Sequence, residues 1–346
     1  MSSTLSAQSE QRRPDWFWRF LGQDGPWHGR RGIGGQHFII RDGIPRAETL
    51  LSDAQAQTEE TFAYKWKKRN TFESPPSLAR MRAWLYERYG DPARADWLQQ
   101  LGESPLMLDA GCGAGMSSLE LFGGVLPRLR FLGIDVSSAV DVAARRFAER
   151  GLENAAFMQA DISNLPLPSA SVDIIFSEGV LHHTDSTQYA ITQLSRLLRS
   201  GGRFLFYVYR KKGPVREFTD DYIRDRLKVM PPQAAWEAME PLTRLGIALG
   251  GLNAQVEVPE AIDLLGIPAG RIDVQRLFYW HVAKAYYHPN LTLDEMNHIN
   301  YDWYGPANAA RQTPEEVRGW CEEAGLAVER EVIEDAGITV IARKRN

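Results

Sequence analysis

The chain has 346 residues, of which 44% are hydrophobic, 10% aromatic and 24% charged. These fractions are close to globular averages and exclude a disordered or fibrous protein, and the length predicts about two domains or one enlarged domain. The 40 basic and 44 acidic side chains give a formal net charge of −4, which excludes any overall attraction for nucleic acid or an anionic membrane.

The cysteine content and the N-terminus indicate the compartment. Cys112 and Cys321 are too few for a disulfide framework or a four-cysteine zinc site. The N-terminus is polar, and no run of about 18 apolar residues occurs. We therefore expect a soluble, cytoplasmic protein without a membrane span and without a bound metal.

The first hundred residues read as an extension of mixed character. Residues 1–14 predict a frayed tail, and a dense aromatic cluster follows at Trp16, Phe17, Trp18, Phe20 and Trp27. Residues 36–50 predict a short strand that contains the turn-forming residues Asp-Gly and Pro. Residues 50–69 predict a helix. Residues 74–90 begin with Ser-Pro-Pro and end at Gly90, which predicts a second helix.

From residue 105, short apolar runs alternate with helical stretches. Strands are predicted at Leu106–Asp109, Arg130–Asp135, Ala155–Ala160, Val172–Ser177 and Arg203–Tyr209. This alternation is typical of a parallel sheet covered by helices. It stops at Lys211 and resumes with a capped helix at 313–325 and strands at Ala327–Ile333 and Gly337–Arg343. We predict an N-terminal extension at 1–104, a ligand-binding core at 105–210 and 312–346, and a mostly helical insertion at 211–311.

A glycine-rich turn follows the first core strand. The strand ends in Asp109, and Gly111, Gly113 and Gly115 stand before the next helix. Glycines allow a tight turn and a close approach of backbone N–H groups to a ligand. The second strand ends in Asp135, 20 residues after Gly115, which is the interval at which a carboxylate contacts ribose hydroxyls. The context predicts a nucleoside site.

The spacing of the turn argues against a dinucleotide. The dinucleotide fingerprint G-x-G-x-x-G has two residues between its second and third glycines, whereas the run Gly-Cys-Gly-Ala-Gly has one. The carboxylate of Asp109, beside this run, would also repel a pyrophosphate. The same acid favours an amino group or a sulfonium. These properties together predict S-adenosylmethionine.

At these residues the sequence resembles the class I S-adenosylmethionine-dependent methyltransferases, in particular the ubiquinone/menaquinone-type group. The matching segments are LDAGCGAG, Asp135, residues 160–185 and LLRSGGRFLF. The resemblance implies a Rossmann-like, doubly wound α/β sheet of seven strands. It also implies a cofactor site formed by Asp109, Gly111, Gly113, Gly115, Asp135, Val136, Asp161, Ile162, Ser177 and Glu178.

Within that site, the resemblance places Asp161 at the adenine amino group and Ile162 against the adenine ring. Ser177 and Glu178 would lie beneath the methionine part of the cofactor. An alternative for Asp161 is the cap of a turn, which is a common role of Asp before a loop. Cys112 is interpreted as a small buried filler, because nothing near it in sequence would activate a thiolate.

Two regions outside the core also resemble parts of known methyltransferases. Residues 34–72 are similar to the tail of a zinc-ribbon-like module fused ahead of some bacterial methyltransferases, but the paired cysteines are absent, so the module would be metal-free. By resemblance, Tyr64 and Trp66 cover the cofactor; the alternative is a plain packing helix. The insertion would form a lid over the acceptor. The Arg199–Lys228 charges suit either an anionic acceptor or a solvated helix face.

Two histidines are candidates for the catalytic base. His182 lies five residues beyond the predicted end of the fourth strand, and a neutral imidazole accepts a proton near pH 7. His281, in the insertion, is the rival. A structural role for either histidine, with catalysis by positioning alone, is the alternative.

These observations predict S-adenosylmethionine-dependent methyl transfer to a small-molecule or biosynthetic-intermediate acceptor, at an O, N or C atom. The alternatives are a non-catalytic nucleoside-binding protein or another S-adenosylmethionine-using transferase, such as an aminopropyl transferase. A nucleic-acid acceptor is disfavoured by the acidic balance and by the absence of an Asn-Pro-Pro-Tyr-type sequence after the fourth strand. No nucleic-acid partner is expected, and the oligomeric state is left open.

Overall fold

A ten-stranded sheet runs through the computed structural model, which describes residues 14–24, 28–48 and 50–346. Trp27 and nearly all of the predicted tail lie outside these residues. The strands of the chain are β1 (Gly29–Ile33), β2 (Gln36–Arg41), β3 (Ile44–Ala47), β4 (Leu106–Ala110), β5 (Arg130–Asp135), β6 (Ala155–Gln159), β7 (Val172–Glu178), β8 (Leu198–Tyr209), β9 (Gln255–Val258), β10 (Gly270–Asp273), β11 (Leu326–Ile333) and β12 (Gly337–Lys344).

Helices cover the sheet and build the insertion. They are α1 (Asp15–Phe20), α2 (Asp53–Lys67), α3 (Pro75–Tyr89), α4 (Asp96–Gln99), α5 (Met116–Phe122), α6 (Ala139–Glu149), α7 (Thr187–Leu197), α8 (Pro214–Leu227), α9 (Pro232–Gly251), α10 (Val274–His281), α11 (Leu293–Tyr304) and α12 (Pro314–Glu323). Across the described ranges, none of these helices is both long enough and apolar enough to cross a membrane.

The core of the sheet is parallel. Strands β6, β5, β4, β7 and β8 lie side by side in that order and run in one direction, and antiparallel β12 and β11 follow β8. Counted from β4, the seven core strands have the order 3-2-1-4-5-7-6. All five residues of β4 are buried, as expected for a strand covered on both faces. The predicted doubly wound α/β fold is confirmed.

The N-terminal extension adds three strands to the same sheet. The stretch predicted as one strand at 36–50 is divided, because Asp42 and Gly43, with φ of 53° and 68°, reverse the chain between β2 and β3. Strands β1, β2 and β3 form an antiparallel meander, and β3 joins β6 through a parallel contact at Arg46 and Gln159. The extension therefore continues the core sheet.

The insertion contains α8–α11 and the hairpin of β9 and β10. Asp220 of α8 is fully buried and ties it to α11, because its carboxylate accepts hydrogen bonds from Trp303 Nε1 and the Tyr304 hydroxyl, both at 2.8 Å. A capping box at Thr292 and Glu295 begins α11. These bonds fix α11 across the carboxyl ends of the core strands.

Candidate active site

A cavity of about 380 Å³ opens at the carboxyl ends of the parallel strands, where open α/β sheets bind their ligands. One side is lined by the core residues Asp109, Gly111, Gly113, Asp135, Val136, Asp161, Ile162 and Glu178. The other side is lined by side chains of α2, α3, β8 and the insertion. The cavity therefore joins the predicted cofactor site to the predicted lid.

The glycine turn adopts a conformation that side chains would prevent. Gly111 and Gly113 have φ of 89° and 49°, in the left-handed region. A Cβ on Gly111 would lie 2.2 Å from Cγ1 of Val180, and a Cβ on Gly113 would lie 2.9 Å from Cε2 of Trp66. The backbone N–H groups of Gly111 and Cys112 donate to the Ile134 carbonyl at 2.7 and 2.9 Å, which holds the turn against β5.

Asp135 holds the glycine turn from the end of β5. Its Oδ2 accepts from the Gly113 N–H at 2.8 Å, and its Oδ1 accepts from the Ser137 N–H at 2.9 Å and the Ser137 hydroxyl at 2.7 Å. Burial raises the pKa of Asp135, and these hydrogen bonds oppose the shift. The carboxylate lines the cavity, as its predicted role at a ribose requires.

Asp109, at the end of β4, is 3% exposed and accepts from the Ser118 hydroxyl at 2.6 Å. Burial raises its pKa to about 7, and the nearby Asp135 and Glu178 add to the shift. A buried carboxyl group with a raised pKa binds a cationic ligand favourably, because a nearby positive charge stabilises its ionised form. Its position fits the predicted contact with an amino group or a sulfonium.

Asp161 lines the cavity and also caps a turn, since its Oδ1 accepts from the Ser163 N–H at 2.8 Å. The alternative interpretation of this residue therefore describes part of its role. Gly115 and Ser177, both expected at the cofactor, do not line the cavity. Gly115 stands at the start of α5, where a Cβ would lie 2.8 Å from the Phe147 ring, and the buried Ser177 hydroxyl donates to the Ala110 carbonyl at 2.7 Å.

Glu178 is held by the N-terminal extension. It accepts from Arg88 Nη1 at 3.2 Å and from the Tyr89 hydroxyl, both on α3. The fully buried Arg88 guanidinium lies between the rings of Trp84 and Tyr207, at 3.7 and 3.8 Å from their centroids. Sequence reasoning missed Arg88, because nothing in α3 shows that it packs against the end of β7.

The structure does not place the two predicted catalytic histidines at the cavity. His182 is fully buried with its ring stacked on Tyr209 at 3.6 Å between centroids, and neither ring nitrogen has a hydrogen-bond partner among the described residues. Burial lowers its pKa well below the ordinary value. His281 is half-buried on α10 and does not line the cavity either. A catalytic role for these two residues stays a prediction.

His183 lines the cavity in place of His182. The two histidine rings lie side by side on the short helical turn Leu181–His183, with centroids 4.3 Å apart, and Nδ1 of His183 lies 2.6 Å from the Asn308 carbonyl oxygen. His298 on α11 also lines the cavity, with its Nδ1 2.7 Å from the Thr71 hydroxyl. Burial lowers the pKa of His183 to about 4 and that of His298 to about 3.

Charged side chains on the insertion side were largely missed by the sequence analysis. Asp302 of α11 pairs with Lys65 of α2 and accepts from the Tyr209 hydroxyl at 3.1 Å. Lys212 and Lys284 also line the cavity. Lys212 falls within the basic stretch noted from the sequence, whereas no sequence pattern indicates Lys284 or Asp302.

Of the two aromatic residues predicted to cover the cofactor, one lines the cavity. Trp66 lines the cavity and contacts the glycine turn at Gly113. Tyr64 points to the insertion instead, where its ring lies against Trp236 and Tyr301. Among the residues that the structure describes, no group of three or more His, Cys, Asp or Glu side chains is arranged to hold a metal ion.

Comparisons with known proteins match this part of the chain. Residues 108–206 fit the family model of a methyltransferase domain. An uncharacterised methyltransferase of Bacillus subtilis is 29% identical over 48% of this chain and 67% of its own length. A malonyl-[acyl-carrier protein] O-methyltransferase of Enterobacter lignolyticus is 38% identical over 29% of this chain and 37% of its own.

A third relative is named for a different acceptor. The tRNA (carboxymethyluridine(34)-5-O)-methyltransferase of Xenopus tropicalis is 28% identical over 44% of this chain. The match covers 26% of that relative. This chain therefore spans two thirds of the first of the three relatives and much less of the other two.

Proposed function

We propose that this class I S-adenosylmethionine-dependent methyltransferase, whose cofactor is S-adenosylmethionine, methylates a small molecule bound beneath its insertion. The observation that carries the proposal is the continuous cavity. Core residues such as Asp135 line one side, and insertion residues such as Trp280 and Trp303 line the other. A small acceptor held there would lie next to the cofactor.

The core residues on one side of the cavity would each hold a different part of the cofactor. Asp135 would bind the ribose, Asp161 and Ile162 the adenine, and Asp109 the cationic end, while Gly111 and Gly113 allow the backbone to approach. The bound cofactor supplies an electrophilic methyl group on a positively charged sulfur. Glu178 already contacts Arg88 and Tyr89, so we assign it to holding α3 at the edge of the site.

Positioning accounts for the reaction better than a histidine base does. The histidines that line the cavity, His183 and His298, have pKa values of about 4 and about 3, so they are neutral but weak bases at pH 7. Orienting the acceptor between aromatic walls lowers the entropic cost of reaction without proton transfer. The atom that receives the methyl group, O, N or C, is left open.

The finer assignment follows the resemblance in the sequence. We place the chain near the ubiquinone/menaquinone-type methyltransferases, and we interpret residues 34–72 as a cysteine-free counterpart of the small module fused to some of their relatives. The meander β1–β3 directly before α2 is consistent with that interpretation. We infer the same three regions as from the sequence: an extension at 1–104, a cofactor-binding core at 105–210 and 312–346, and an insertion at 211–311.

The test is product analysis with methyl-labelled S-adenosylmethionine and the full chain. Separate reactions would contain a small-molecule metabolite extract and total tRNA. We expect label in a small-molecule product together with S-adenosylhomocysteine. At a cofactor concentration that does not saturate the parent, we expect Asp135→Ala to reduce this label by about tenfold or more. Exposed Asp225→Ala is the matched control. Label in tRNA alone, label released as methylthioadenosine, which aminopropyl transfer would give, or binding without transfer would each contradict the proposal.

A further inference from the structure

The insertion side of the cavity carries an excess of positive charge. Six cationic side chains line this part, namely Lys65, Arg80, Arg88, Lys212, Arg216 and Lys284. The acids that line it are Asp302 and Glu295, and Asp220 is buried behind them. Whether the cations are neutralised depends on what these acids already bind.

The acids already have partners. Asp302 pairs with Lys65 and accepts from the Tyr209 hydroxyl. Asp220 accepts from Arg216 Nε at 2.8 Å, in addition to its bonds to α11. Glu295 is held by the capping box of α11 and by serine hydroxyls of α3 and its N-cap. Lys65 and Arg216 are thereby paired, and Arg88 pairs with Glu178 and Glu334. Arg80 is exposed to solvent, whereas Lys212 is half-buried and Lys284 is buried, and neither has an acidic partner among the described residues.

Lys284 is a buried cation without a polar partner. The residue is 7% exposed, and within the described ranges its Nζ has neither an acidic oxygen within 4 Å nor a hydrogen-bond acceptor. The ammonium lies 4.7 Å from the centroid of the Trp303 ring and lines the cavity. Buried charges in proteins are normally paired, because an isolated one is costly. The missing partner is therefore expected to come from the cavity.

Lys212 approaches the same tryptophan. Its Nζ donates to the backbone carbonyls of Arg210 at 2.7 Å and Ala336 at 3.1 Å and lies 5.4 Å from the Trp303 ring centroid. An ammonium group has three donors, so one stays available for a ligand. No acidic oxygen of a described residue lies within 4 Å of this nitrogen. Two incompletely satisfied cations therefore stand beside one aromatic ring.

We propose that the methyl acceptor is a small organic acid whose carboxylate or phosphate binds Lys284 and Lys212. The proposal rests on the proposed function and names the substrate class for the same site. The walls beside the two lysines are aromatic, with Tyr279, Trp280 and Tyr286 near Trp303, and suit a flat, unsaturated body. The anion anchors one end of the acceptor, and the rings orient the remainder.

The test uses three probes of similar shape: benzoate, phenyl phosphate and neutral benzamide. Calorimetry with the full chain saturated with S-adenosylhomocysteine, at about pH 6, measures their affinities. We expect at least one anion to bind at least about tenfold more tightly than benzamide. Which of the two binds better distinguishes a carboxylate from a phosphate acceptor. Lys284→Met should abolish the preference, and Lys212→Met should weaken it.

Two variants serve as controls. Lys228→Met removes an exposed lysine and should change nothing, whereas Lys284→Arg should retain part of the preference. Equal binding of benzamide and both anions, no binding of either anion, or an unchanged preference in Lys284→Met would overturn the inference. Failure of the parent to bind S-adenosylhomocysteine would instead count against the proposed function, so the two failures are distinguishable.

Discussion

Single side chains at the two ends of the cavity carry the most direct predictions. Asp135 serves the cofactor end, where its carboxylate accepts three hydrogen bonds from the glycine turn and Ser137. Lys284 serves the acceptor end, where no described acid pairs with it. Removing the Asp135 carboxylate should weaken cofactor binding. Removing the Lys284 ammonium should weaken binding of the acceptor and also change the free energy of unfolding.

Asp135→Ala should weaken the binding of S-adenosylhomocysteine by about 10–100-fold, because a charged acceptor for ribose hydroxyls is lost. Calorimetry of the full chain measures the change. The exposed Asp225→Ala variant provides the baseline. An affinity in Asp135→Ala equal to that of the parent would remove this carboxylate from the cofactor site.

Lys284→Met should stabilise the ligand-free protein by about 1–4 kcal/mol at pH 7, since it replaces a buried unpaired cation by an apolar side chain of similar length. Burial lowers the pKa of Lys284 to about 7; Asp302 and Asp220 oppose this shift, and Arg216 and Arg80 add to it. Above pH 7 the folded protein releases the Lys284 proton, whereas the unfolded chain keeps it up to about pH 10.5. The parent therefore becomes more stable as the pH rises, and its difference in free energy of unfolding from Lys284→Met becomes smaller. Urea unfolding at pH 7 and 9.5 tests both statements.

At the scale of elements, one buried acid joins two helices of the insertion. Asp220 accepts from Arg216 within α8 and from Trp303 and Tyr304 of α11. Asp220→Ala should lower the free energy of unfolding by about 3–5 kcal/mol, because Arg216 would remain buried without its partner. Asp220→Asn keeps an acceptor oxygen and should cost less. A loss below about 1 kcal/mol in urea unfolding of Asp220→Ala would show that other contacts hold α8 to α11.

For the whole molecule, the buried histidines predict a loss of stability in acid. The pKa of His183 is lowered to about 4 from its ordinary 6.5, so between these values the unfolded chain binds a proton that the folded protein does not. The free energy of unfolding should therefore decrease as the pH is lowered through this window. His183 should contribute about 3 kcal/mol of this decrease. His298 acts in the same direction, whereas Asp109, with its raised pKa, opposes it.

His183→Gln isolates this contribution. Urea unfolding at several pH values between 4 and 7 should show a shallower dependence for the variant than for the parent. Exposed His37→Gln should keep the dependence of the parent. Parallel profiles for His183→Gln and the parent would mean that other groups cause the acid sensitivity.

The cofactor side of the cavity was largely predictable from sequence. Asp109, Asp135, Asp161 and Glu178 stand at or just after the ends of successive core strands, and a parallel sheet brings such ends to one edge. Local signals were sufficient here, because the spacing of glycines and acids along a strand–turn–helix unit fixes their positions relative to one another. Whether each contacts the cofactor in its assigned way stays a prediction.

On the acceptor side, the sequence predicted a lid and a basic stretch, but only the tertiary structure decided which side chains meet in the cavity. Lys65 and Asp302 pair although 237 residues separate them, and Lys284 reaches the cavity from a segment with no motif. The choice between His182 and His183 depended on a single short turn that buries the first and directs the second to the cavity. Sequence spacing determines positions within one strand–turn–helix unit. Contacts between distant segments depend on packing, which decides which side chains share a cavity and which charges stay unpaired.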